Sequence, residues 1–295
     1  MGQSILHRAL SAQSTDAKPT SYLTILALED GLTAKLSDST IYYRINTGTW
    51  KKLTKNSYTP AINTGETLQF KAEGLSPVHG SGIGTFTITA KCKLLGTPMS
   101  LYMGESDLRE FAFHSLFEGC TNIISVSKDF LPATKLSGRC YTDMFYGCSS
   151  LVNAPELPAT ELKDACYYRL FAKCTSLVEP PSVLPALLVI SQAYMFMFAE
   201  CTSLQKAPTI LALETTGYGP CKAMFQECRV LSYVDARLVT INQHEREWGT
   251  CNWLAYVAAN GTFVKNPEAT WTIKGFDGVP DGWTIVNEPI EEVAV

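Results

Sequence analysis

Between Tyr22 and Lys93, apolar and polar residues alternate in short runs. The runs are Tyr22 to Leu28, Ile41 to Ile45, Thr67 to Lys71 and Thr85 to Lys93, with Gly, Asn, Asp and Pro clusters between them. Alternation with period two is the signature of a half-buried strand. Asn46-Thr47-Gly48, between Ile45 and Trp50, reads as a hairpin turn. Short strands with frequent turns predict a small β-sandwich over residues 21–104. Such a domain is a carbohydrate- or protein-binding module, or a spacer and N-terminal cap; the fold alone does not choose.

From residue 105 the pattern changes to a repeat. Phe117/Cys120, Phe145/Cys148, Phe171/Cys174, Phe198/Cys201 and Phe225/Cys228 are Phe-x-x-Cys pairs at successive spacings of 28, 26, 27 and 27. One residue before each Phe stands Leu116, Met144, Leu170, Met197 or Met224. Four before stands Phe113, Tyr141, Tyr167, Tyr194 or Cys221. Three after each Cys stands Ile123, Leu151, Leu177, Leu204 or Leu231, and Pro155, Pro181 and Pro208 follow four residues later.

Tyr141, Met144 and Phe145 fall at i, i+3 and i+4, one face of a short helix that Gly147 would end. Leu151 to Leu157 reads as extended, because Pro155 and Pro158 exclude helix. A unit this small cannot bury its own apolar face, whereas stacked copies can. The expected product is a solenoid of about five turns over 105–235. The fold class is then α+β, a β-sandwich followed by a solenoid whose period lies within the leucine-rich-repeat range of about 20–29 residues. Phe117, Phe145, Phe171, Phe198 and Phe225, with Cys120, Cys148, Cys174, Cys201 and Cys228, are its structural ladders.

The ten cysteines admit disulfides or metal as well as buried thiols. Five share one phase, and Cys140, Cys166 and Cys221 precede members of that set by seven or eight residues. A zinc site needs ligands converging at short spacing, which a one-per-turn ladder does not offer. Buried free thiols are therefore expected, with no metal and no cofactor.

After Ala236 the period stops. Glu245 to Ala259 reads as a helix with Trp248, Cys251 and Tyr256 toward the core. Trp271-Thr-Ile and Trp283-Thr-Ile recur twelve residues apart. Residues 236–286 are read as a cap closing the last turn, which these Trp suit; a sugar-binding Trp is the other reading. Residues 287–295 form an acidic tail with Glu288, Glu291 and Glu292.

Charge excludes one class of partner. The 295 residues are 46% hydrophobic and 18% charged, with a formal net charge of −4. Residues 1–104 carry 10 Lys+Arg against 6 Asp+Glu, residues 105–235 carry 10 against 14, and residues 236–295 carry 4 against 8. No region has the dense basic stripe that nucleic acid needs. Val183 to Ala199, the most apolar stretch, is broken by Pro185 and Gln192, so membrane insertion is not expected. Residues 1–20 are polar and lack a secretory h-region. The expectation is that either an export leader has been removed or the protein reaches its place without Sec export, as on a phage particle released by lysis, with the 1–20 arm docked to other virion proteins.

The units CYTDMFYGCSSLVNAPELPATEL and CYYRLFAKCTSLVEPPSVLPA resemble the BspA-like leucine-rich repeats of Bacteroidota surface proteins. The flanking segments SYLTILALEDG, SGIGTFTITAKCKLLGTPMSLYMG and NGTFVKNPEATWTIKGFDGVPDGWTI resemble the parts that bracket such repeats. The resemblance spans roughly residues 21–286 and implies a non-catalytic surface or adhesion protein. In this chain Ala193 replaces a leading Cys and Cys221 is shifted by one.

Motifs for catalysis are incomplete. His244-Glu-Arg-Glu-Trp248 lacks the second His of HExxH, and Gly80-Ser-Gly-Ile-Gly84 lacks the Lys-Ser/Thr of a phosphate loop. The four His (7, 79, 114, 244) lie in separate segments. The expected function is therefore non-enzymatic: a surface-displayed binding or adhesion protein, as a decoration, fibre-associated or receptor-binding virion component. A bacterial cell-surface adhesin and a purely structural virion spacer are the alternatives. If Leu151, Leu177, Leu204 and Leu231 point inward, period-two alternation turns their neighbours outward. The candidate partner face is Val152, Asn153, Glu156, Val178, Glu179, Gln205, Lys206 and Tyr233, a mixed polar set suited to protein or surface glycan.

Overall fold

The computed structural model describes residues 22–72, 82–102, 108–241 and 249–288. The 1–20 arm, Gly80, His244, Trp248 and the tail beyond Glu288 lie outside them.

The N-terminal strands are β1 (Leu23–Ala27), β2 (Ala34–Leu36), β3 (Ile41–Ile45), β4 (Lys51–Leu53), β5 (Thr67–Lys71), β6 (Phe86–Ile88) and β7 (Cys92–Leu95). With β8 (Ile123–Val126) they form a six-stranded sheet in the order β4-β3-β5-β1-β7-β8, while β2 and β6 pair separately. The alternation expected for β3 and β5 is present. Ile41, Tyr43, Leu68 and Phe70 are buried, and Tyr42, Gln69 and Lys71 are not. All pairs are antiparallel except β7 with β8, which is parallel. Because β8 follows the first Phe-x-x-Cys pair, the repeat region extends the N-terminal sheet. Phe86 of β6 stacks on Phe117 with ring centroids 5.5 Å apart, so one apolar core runs from Leu23 to Trp283.

From residue 108 the chain winds as a β-solenoid. Phe117 to Phe225 spans four complete turns, because five copies of a motif enclose four intervals. One face is a parallel sheet in the order β15-β14-β13-β11-β9, formed by β9 (Val183–Leu184), β11 (Thr209–Ile210), β13 (Tyr233–Ala236), β14 (Thr262–Lys265) and β15 (Thr284–Asn287). A parallel pair requires a long crossover; here one whole turn of the coil supplies it. β10 (Leu188–Val189) and β12 (Glu214–Thr215) pair in parallel at a further corner.

The helical part of the expected unit is absent, so the described residues are not α+β but almost wholly strands and turns. Among the described residues there is no α-helix, and the elements are strands, turns and two short 3-10 segments. Residues 138–148 form a ribbon of consecutive turns. Alternate amides bond within the coil, from Thr142 N to Arg139 O and from Met144 N to Tyr141 O. The amides between them bond to the next coil, from Asp143 N to Tyr168 O and from Phe145 N to Leu170 O. The backbone satisfies this pattern by going left-handed at every fourth residue: Arg139 (φ 54), Asp143 (φ 56) and Gly147 (φ 71). Left-handed backbone disfavours side chains with a Cβ, yet Lys173 and Glu200 hold the phase of Gly147 at φ 61 each. The inter-coil bonds impose that conformation.

The spacing i, i+3, i+4 belongs to both structures, which is why it suggested a helix. The wider pattern separates them. Cys140, Met144 and Cys148 are all fully buried, a step of four, and so are Cys166, Leu170 and Cys174. In a helix each four-residue step swings about 40° off the face; in the ribbon it returns to the same side. The structure also resolves the irregular fifth copy. Tyr194 N bonds Pro220 O as Tyr141 N bonds Cys166 O, so Pro220 holds the leading-Cys phase and Cys221 the Tyr phase.

The period does not stop at Ala236 either. Phe225 N bonds Trp253 O and Glu227 N bonds Ala255 O, which makes residues 249–256 a further ribbon in place of the expected helix. Trp253 and Leu254 fill its core positions, whereas Cys251 is half-buried and Tyr256 is 57% exposed. Three indole N–H groups then donate to carbonyls: Trp253 to Gly278 O (2.9 Å), Trp271 to Leu238 O (2.8 Å) and Trp283 to Ala258 O (2.8 Å). Trp271 and Trp283 are buried, so neither is placed to stack on a sugar.

Candidate functional site: exposed columns on a stacked core

Each turn repeats the same interior. Phe117, Phe145, Phe171, Phe198 and Phe225 stack ring on ring at 5.5–5.7 Å. Beside them run Phe113, Tyr141, Tyr167 and Tyr194 at 5.8–6.3 Å. The Cys phase has its own chemistry. The Cys120, Cys148, Cys174, Cys201 and Cys228 thiols donate to the carbonyls of Phe86, Phe117, Phe145, Phe171 and Phe198 at 3.0–3.2 Å. The residue must be small enough for the corner and able to donate to the preceding coil, and Cys meets both demands. Burial pushes the Cys92, Cys120, Cys166 and Cys221 thiols up to about 12 and raises those of Cys174 and Cys228 as well. A thiol held protonated this way is a poor nucleophile and a poor metal ligand. Among the described residues no group of three or more His, Cys, Asp or Glu is placed to hold a metal ion.

Leu151, Leu177, Leu204 and Leu231 are fully buried. Their neighbours form a column one turn apart. Val152 N bonds Ile124 O, Val178 N bonds Val152 O, and Ser232 N bonds Gln205 O. Val152 is 38% exposed, Val178 51%, and Glu179, Gln205 and Lys206 are exposed too. Three candidate residues are less open. Asn153 spends its side-chain amide on Val126 O at 2.6 Å. Glu156 accepts from the Ser182 amide and hydroxyl and lies 3.8 Å from Lys128. Tyr233 is half-buried under Lys206, whose ammonium sits 4.9 Å from the ring centroid. Burial first, then the Asp235 carboxylate, raises the Tyr233 hydroxyl above its ordinary value. The open part of the column is therefore Val152, Val178, Glu179, Gln205 and Lys206.

The outer side of the turn ribbon is a second surface, invisible while that segment reads as a helix. Arg169 joins Asp143 at 2.7 and 2.8 Å and lies 5.0 Å from the ring centroids of Tyr146 and Tyr168. Burial raises the Asp143 carboxyl, against the pull of Arg169. Arg139 lies between Glu110 (3.7 Å) and Asp164 (3.5 Å), and Lys173 pairs with Glu200 at 3.8 Å. The rings Tyr146, Tyr168 and Phe196 hold different phases of the repeat, so no sequence period announces them. At the C-terminal end a shallow cleft of about 220 Å³ is lined by Tyr256 and Phe276, with ring centroids 5.0 Å apart, and by Asp281.

Among the described residues no helix is long and apolar enough to cross a membrane. Compared with protein-family models, curated proteins and solved structures, the chain matches none.

Proposed function

We propose that this chain is a non-enzymatic binding or adhesion protein displayed on a virion surface, as a decoration, fibre-associated or receptor-binding component. Its coils are a divergent form of the BspA-like leucine-rich repeat, with turn ribbons where that unit would carry a helix. The observation that supports the reading is the exposed column Val152, Val178, Glu179, Gln205 and Lys206, carried at two adjacent phases of successive turns on a stacked core. Rigid repeats present such columns as extended contact surfaces, and exposed loop and edge residues free of core duty are where binding evolves. The mixed polarity suits a protein or a polar glycan. The N-terminal arm is the proposed route to other virion proteins.

The test is attachment of the purified full chain to Bacteroidota cells and to a glycan array, beside the double variant Glu179→Lys with Lys206→Glu. Reduced attachment by a folded variant supports the column as the contact. Unchanged attachment removes it. Immunogold labelling of particles and of cells decides between a virion and a bacterial surface protein. Absence of any ligand together with presence in the particle favours a structural spacer.

A further inference from the structure

The N-terminal sheet carries an outward face that the column does not involve. Alternation places Tyr42 and Arg44 of β3, Lys52 of β4, Gln69 and Lys71 of β5 and Lys93 of β7 on the side opposite the core. The register brings them side by side: Tyr42 is opposite both Lys52 and Lys71, Arg44 is opposite Gln69, and Lys93 is opposite Leu26. The remaining positions on this side of the strands are Thr24, which is buried, Leu26, Thr67 and Leu95, so among the described strand positions this side carries four basic residues and no acidic one.

Its centre is ordered. The Arg44 guanidinium lies 4.7 Å from the Trp50 ring centroid and 5.3 Å from that of Tyr22, and the two rings meet edge-on at 4.9 Å. Lys71 lies 5.0 Å from Trp50 and 5.8 Å from Tyr42. Arg44 Nε donates to Gln69 Oε1 at 2.7 Å. Among the described residues its two terminal nitrogens have no hydrogen-bond or carboxylate partner. A guanidinium held by ring contacts and one side-chain bond loses little further freedom on binding, and its remaining fork matches a carboxylate or sulfate.

We propose that the outer face of the β4-β3-β5-β1-β7 sheet, centred on Arg44, is a binding surface for an acidic polysaccharide. Four strand steps separate Lys52 from Lys93, about 19 Å at ~4.8 Å per step. One small anion cannot reach both ends, and a chain with a charge on successive units can. Single-stranded nucleic acid would need open ring faces for base stacking, but Trp50 already holds two cations and the edge of Tyr22. The site is separate from the solenoid column and does not depend on it.

Titration of the full chain by calorimetry with polygalacturonate, chondroitin sulfate, neutral dextran and oligo(dT) tests this. At least one acidic polymer should bind, dextran should not, and affinity should fall as salt rises, because screening weakens exposed charge contacts. Arg44→Gln should weaken binding tenfold or more, and Arg44→Lys by less. Glu179→Lys with Lys206→Glu should leave it unchanged, which separates failure here from failure of the column. Lys52→Gln with Lys93→Gln alters only exposed positions and carries the test should Arg44→Gln melt early. Equal binding of dextran, tighter binding of oligo(dT), no binding of either acidic polymer, or folded variants with unaltered affinity would each overturn the proposal.

Discussion

The solenoid and the N-terminal sheet bury apolar residues equally well but assemble them differently. In the solenoid the core is built from ladders one turn apart: Phe on Phe, Tyr on Tyr, and Cys against the preceding coil's Phe carbonyl. In the sheet, partners come from distant segments with no shared period, such as Ile25 beside Leu68 and Leu94. Their surfaces differ as well. Cations on the ribbon are tied to carboxylates, whereas Arg44 at the centre of the sheet face is held between rings. Repetition lets one solution to burial be copied, and it also copies any weakness of that solution.

The largest such weakness is alkaline. Nine cysteines are buried, eight of them in the coils beyond Cys92. An unfolded thiol titrates near 9.0, and in the fold Cys166 and Cys221 are pushed up to about 12. A raised folded value means that the stability linked to the protonated thiol is fully present below 9 and is lost as pH rises through the window from 9 to about 12. Each thiol then contributes up to about 1.4 kcal/mol of loss per pH unit. Guanidinium melts at pH 7, 9 and 10 should show the solenoid losing stability faster than the N-terminal sheet. A flat profile would mean that the thiols are not buried. The same burial predicts that the nine buried cysteines of the native protein resist alkylation at pH 8, while denatured, unreduced protein titrates close to the full set of ten.

Next in size is the ring stack. Phe171 lies between Phe145 and Phe198, and Phe171→Ala should cost about 3–5 kcal/mol. Phe225 stacks on Phe198 with Leu254 beyond it, so Phe225→Ala should cost less. Equal losses would show that the coils do not act as a stack. Cys174→Val removes the thiol donor to Phe145 O at similar volume and should cost about 0.5–1.5 kcal/mol. Cys221, which occupies the Tyr phase, is the comparison: Cys221→Val should cost less than Cys174→Val. The smallest effect belongs to the column, where Glu179→Lys with Lys206→Glu should stay within about 0.5 kcal/mol of wild type per substitution.

Much of this was legible in the chain, and the misses share one cause. The Phe and Cys phases were readable because a side chain that must stack at every turn recurs at every turn. The inward Leu151, Leu177, Leu204 and Leu231 were readable for the same reason. The helix expected there is absent: Tyr141, Met144 and Phe145 share a face in either structure, so their spacing does not distinguish the two. The four-residue step of Cys140, Met144 and Cys148 was the available signal. The ribbon at 249–256 went unseen because Trp253, Leu254 and Val257 replace the usual Met, Phe and Cys, and only the bond from Phe225 N to Trp253 O reveals the phase.

By itself, the sequence determined the period, the identity of the stacked residues, the strand alternation of the N-terminal sheet and the mixed polarity of the column. Each of these is written in residues close in sequence or repeated at a fixed interval. Tertiary structure alone decided how the ribbon's amides are shared. One donor in two bonds a neighbouring coil, and that partner exists only once the coils are stacked; without it the left-handed residues at Arg139 and Asp143 would have nothing to hold them. It also decided which cations stand together. Lys52, Arg44, Lys71 and Lys93 are scattered along the chain, and only the strand order β4-β3-β5-β1-β7 gathers them on one face, because pairing between strands is set by burial of the opposite side.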